Sequence, residues 1–109
     1  MGEAGHLSSQ FRRAVDNGDF HGARLLLVEM PSVGLENALA LTLLAADTEA
    51  ARFGPMARRW LVRLVEGREP PLPDLAIVTQ LLADVDEGRL VPSKATEPLS
   101  RVARGLRLG

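Results

Sequence analysis

The run Leu35-Glu36-Asn37-Ala38-Leu39-Ala40-Leu41-Thr42-Leu43-Leu44-Ala45-Ala46 decides the fold. Wound at about 100° per residue, Leu35, Leu39, Leu41, Leu43 and Leu44 spread around the whole circumference. Leu and Ala are strong helix formers, and a strand would favour β-branched or aromatic residues instead. A helix that is apolar all round belongs inside a molecule, so this segment is expected to be the central, most buried element.

Working outward, glycine, proline and aspartate punctuate the chain. Asn17-Gly18-Asp19 supplies a left-handed helix end and a cap for the next helix. Pro31 to Gly34 separates a second stretch from the third. Gly54-Pro55 reads as an interruption with proline at the first turn of a new helix, and Gly67–Pro73 and Gly88–Ser93 read as loops. Six helices are predicted near Ser9–Asn17, Phe20–Met30, Leu35–Ala46, Pro55–Glu66, Asp74–Asp86 and Thr96–Leu108, with a short turn at Glu49–Phe53. They pair as three helical hairpins, giving an all-α fold, either a compact bundle or a short array of hairpins. Trp60, Leu39, Leu43, Leu61, Leu64, Ile77, Leu81 and Val85 are the predicted core. Residues 1–109 read as one domain with 1–7 as a flexible N-terminal tail.

The totals agree. In 109 residues, 46% are hydrophobic and 25% charged, which are globular proportions, while aromatics are 4% and the core must be aliphatic. The net charge of −1 argues against a domain devoted to gripping nucleic acid. Without cysteine there is no disulfide, thiolate metal site or cysteine nucleophile. Met1–Ser9 lacks the cationic start and apolar run of a signal peptide, and no apolar run approaches the roughly 20 residues of a membrane span, so a cytoplasmic protein is expected. Lys94 is the only lysine, and arginine in place of lysine is the usage of a GC-rich bacterial genome.

Two resemblances follow. Phe11-Arg12-Arg13-Ala14, Gly18-Asp19-Phe20 and Ala23 together resemble one unit of the tetratricopeptide-type helical arrays, which implies two helices packed through alanine across a Gly-Asp turn. Leu35 to Leu41 with Ala57-Arg58-Arg59-Trp60-Leu61 resembles small helical proteins of GC-rich actinobacteria, a likeness that implies no activity.

Catalytic and cofactor signatures are missing. His6 and His21 are isolated and read as surface residues; no metal, cofactor or catalytic residue is expected. Ser8, Ser9, Ser32, Ser93 and Ser100 stand where capping or a polar helix face accounts for them. Asp84, Asp86 and Glu87 cluster beside a turn glycine, where ion pairing is the simpler reading than acid–base chemistry. A site assembled from Glu36, His21 and a serine ranks last. A helix-turn-helix is disfavoured because Gly54-Pro55 falls inside its would-be recognition segment.

What remains is surface. Leu25, Val28 and Val62 fall on polar helix faces, and with Arg58 and Arg59 they form a candidate partner contact. Arg63, Arg101, Arg104 and Arg107 form a candidate anion contact. The expected function is a non-enzymatic protein–protein interaction module, a homodimer or a small adaptor. The alternative is a nucleic-acid-associated accessory protein using the arginines of the fourth and sixth helices.

Overall fold

The computed structural model describes residues 3–107, and among these the chain forms six α-helices and no strand. They are α1 (Glu3–Asp16), α2 (Phe20–Glu29), α3 (Leu35–Thr48), α4 (Ala50–Arg68), α5 (Leu72–Asp86) and α6 (Pro92–Leu106). The expected all-α fold with its three hairpins is what the chain adopts: α1 packs on α2, α3 on α4 and α5 on α6.

The all-round apolarity of α3 has a direct structural cause. One side of the helix, Leu39 and Ala46 with Leu35, Ala38 and Leu43, enters a core shared with α4, α5 and α6. The other side, Leu41, Leu44 and Ala45, enters a second core with Phe11 of α1 and Phe20 and Ala23 of α2. A helix that serves two cores has no face left to be polar.

The larger core is closed. α6 returns to pack on both α3 and α4, so α3, α4, α5 and α6 form a four-helix ring, and the α1–α2 hairpin lies against the outer side of α3. This closure selects a compact bundle over an extended array. The radius of gyration of 13.7 Å fits it, since a folded domain of about 100 residues has roughly 13 Å.

Local chemistry fixes the turns. Gly18, at φ +72°, ends α1: its N–H donates to the Val15 carbonyl at 3.0 Å, and the Asp19 N–H to that of Ala14 at 2.9 Å. Those two bonds close a left-handed glycine cap. The Asp19 carboxylate then accepts from the Gly22 N–H at 3.0 Å and caps α2. Gly88, at φ +76°, repeats the device after α5, donating to Val85 at 3.1 Å while Arg89 donates to Asp84 at 2.8 Å.

Several expectations are corrected. Gly54-Pro55 does not interrupt: α4 runs unbroken from Ala50, absorbing the turn expected at Glu49–Phe53. Proline withholds a donor from the Ala51 carbonyl, but Ala51 is exposed to water. Gly54 has no Cβ to clash with the proline ring, and buried Phe53 and Ala57 anchor the helix on either side. Gly54-Pro55 therefore does not stand against a helix-turn-helix, but only Glu49 separates α3 from α4, too short for the three- to four-residue turn that motif uses.

α1 starts at Glu3, so residues 3–7 of the expected tail are helical, while Met1 and Gly2 lie outside the described residues. α6 starts at Pro92 and ends at Leu106; Leu108, its expected end, also lies outside them. Trp60, Leu39 and Leu64 are buried as expected, and Leu43, Leu61, Leu81 and Val85 pack half-buried against the core. Ile77 does not, being 48% exposed, and the fully buried residue of α5 is its neighbour Val78. No helix among the described residues is long and apolar enough to cross a membrane.

Candidate functional site

α2 and α4 both pack on α3; they meet where the Arg52 guanidinium lies 5.8 Å from the centre of the Phe20 ring, and beyond that contact a groove of about 220 Å³ runs between them. α3 provides its floor through Ala38, Leu41 and Thr42. Leu27 of α2 forms one wall; Met56 and Trp60 of α4 form the other, with Arg59 and Arg63 beside them. The floor is satisfied internally. The Thr42 hydroxyl donates to the Ala38 carbonyl at 2.8 Å, and the Trp60 indole N–H donates to the Leu35 carbonyl at 3.0 Å. No polar side-chain atom described is buried without a partner. The groove is therefore apolar at its base and cationic on the α4 side.

Neither arginine beside the groove faces a carboxylate among the described residues, a condition shared with Arg12, Arg13, Arg24 and Arg68. Arg63 donates to the neutral Val33 carbonyl at 2.6 Å, which orders the guanidinium without cancelling its charge. Arg59 has no carboxylate within 4.0 Å among the described residues. Glu66, a turn beyond Arg63, reaches neither. By contrast Arg58 points to the α5 side and pairs with Asp86, and Arg52 lies 3.5 Å from Glu49. On α6, Arg101 and Arg104 converge on Glu97 at 3.4 and 3.6 Å. Arg107 stands past the end of α6 as its left-handed cap, so the arginine stripe expected there stops at Arg104.

Of the residues singled out in the sequence, the groove thus gathers Arg59 and Arg63 and leaves Arg58, Arg101, Arg104 and Arg107 elsewhere. Leu25, Val28 and Val62 line none of it, but they sit on its two flanking helices and are 67%, 78% and 54% exposed. Leu27 and Met56 are the residues sequence reasoning missed, because both fall on apolar helix faces assigned to the core. No local signal marks them, since their partial exposure depends on how far α2 and α4 diverge beyond the contact of Phe20 with Arg52.

The other clusters assemble no reactive constellation. Glu36 is at the start of α3, whereas His21 lies 3.8 Å from Glu49, just past its far end. A helix of that length holds them about 20 Å apart. Asp84 accepts from Arg89 Nη2 and Gln80 Nε2, each at 2.9 Å. The Arg89 hydrogen bond, then that of Gln80, hold its pKa below the ordinary carboxylate value, while burial opposes them. That is the opposite of what a general acid needs. Arg89 is raised in turn, chiefly by Asp84 and then by Glu87, and the three make a clip across the α5–α6 turn. Among the described residues no three His, Asp or Glu side chains are grouped to hold a metal.

Comparisons with protein-family models, with curated proteins and with solved structures find nothing that matches this chain.

Proposed function

We propose that this chain is a non-enzymatic protein–protein interaction module whose contact surface is the α2–α4 side of the bundle. The observation that carries the reading is the groove itself: an apolar base, two arginines without a carboxylate partner, and exposed Leu25, Val28 and Val62 on the helices beside it. An apolar centre with arginine at its margin is the composition of protein interfaces. The arginines of α6 support the nucleic-acid alternative less well, because Arg101 and Arg104 already face Glu97.

The experiment is capture by the tagged chain from native lysate at low and high salt, reading out protein and nucleic acid, beside a Val28→Ser/Val62→Ser variant. Both positions are exposed, so the variant keeps its fold. A protein held stoichiometrically by the wild type at high salt and lost by the variant supports the reading. Nucleic acid held at low salt and released at high salt, with no protein dependent on Val28 and Val62, overturns it.

A further inference from the structure

Resting on that reading, we infer that the α2–α4 groove seats an amphipathic helix of a different protein, with apolar side chains in the groove and carboxylates along the edge facing Arg59 and Arg63. The mode of recognition follows from what the groove offers. Proteins bind extended segments by adding a strand to a sheet edge, and the described residues contain no strand. Proline-rich segments dock on exposed aromatic rings; here the only aromatic is Trp60, 2% exposed and with its N–H already donated. A trough between two helices with a third as floor fits the remaining mode, a helix laid with its apolar stripe down.

Size and charge narrow the occupant. At about 220 Å³ the groove is smaller than the roughly 300–1,000 Å³ of small-molecule pockets, and its satisfied floor presents no polar group to orient such a ligand. It suits inserted Leu-, Ile- or Met-sized side chains. Arg59 and Arg63 lie on one side of it and face no carboxylate within 4.0 Å among the described residues, so a partner's Asp or Glu there gains a charge-assisted contact. A second copy docked with its two-fold axis across the groove would set Arg59 and Arg63 of one toward those of the other, a meeting of like charges that an acidic helix avoids.

The test is selection from a display library of helical peptides that share a fixed leucine stripe and carry randomised flanks, using the full chain as bait. Enrichment of Asp and Glu on one flank, with binding weakened about tenfold or more by Arg59→Glu and by Met56→Glu, is the expected result. Arg59 is exposed, so its variant keeps the fold even if Met56→Glu does not. Neutral or basic flanks, binders indifferent to Arg59→Glu, or no enriched binder overturns the inference. Binders that ignore both groove variants but are lost with Val28→Ser/Val62→Ser sink the groove assignment while leaving the interaction module standing.

Discussion

The indole N–H of Trp60, midway along α4, donates a 3.0 Å hydrogen bond to the carbonyl of Leu35, the first residue of α3. Through this bond the side chain that fills the larger core also ties the middle of α4 to the start of α3. The two contributions separate by mutation. Trp60→Phe keeps most of the buried ring and loses the bond, an expected loss of about 0.5–1.5 kcal/mol. Trp60→Ala leaves a cavity and is expected to lose about 3–5 kcal/mol. Urea unfolding of both variants checks the pair, and equal losses would show that the hydrogen bond dominates.

The rotation of α5 is tested by neighbouring residues. Val78 is fully buried and Ile77 is 48% exposed, although both fall on the apolar side of the helix. Val78→Ala is expected to destabilise by about 2 kcal/mol from lost methyl burial and the void left behind. Ile77→Ser should stay within about 0.5 kcal/mol. Thermal melts in which Ile77→Ser is the more damaging change would place α5 the other way round.

Replacing a helical glycine by alanine ordinarily stabilises by about 0.5–1 kcal/mol. Gly22 is expected to break that rule, because a Cβ there would collide with the Asp19 carboxylate that caps α2. Loss of the cap, worth about 1 kcal/mol, offsets the gain. Gly67 in α4 has open space around the same position, so Gly67→Ala should raise the melting midpoint while Gly22→Ala does not. A comparable rise in both would show that the Asp19 carboxylate yields to the added methyl without loss of stability.

The clip at the α5–α6 turn predicts a pH dependence. The folded pKa of Asp84 lies below its unfolded value of about 3.9. Its stabilisation is therefore complete above that value and is lost as pH falls through the folded pKa. Wild type should be the more stable protein at neutral pH, and its melting midpoint should converge on that of Asp84→Asn as the solution is acidified below about pH 4. A gap that stays constant across this window would show that Arg89 and Gln80 do not act on the charge of Asp84.

Much of this architecture was written in local sequence. The leucines around α3 announced a helix covered on every side, and Gly18-Asp19 announced the first hairpin, because helical periodicity and left-handed glycine are properties of a few consecutive residues. Gly54-Pro55 misled for the complementary reason. Its local signal is a break, yet Phe53 and Ala57, buried against distant helices, hold the segment helical. The side of α5 that is buried, the closure of the ring by α6, and the gap between α2 and α4 were decided only in tertiary structure. Each depends on which helices meet, and a residue's own neighbours in sequence carry no information about that. Arg59 and Arg63 could be named in advance as surface cations. Only the packing of α2 and α4 on α3 made them the edge of a groove.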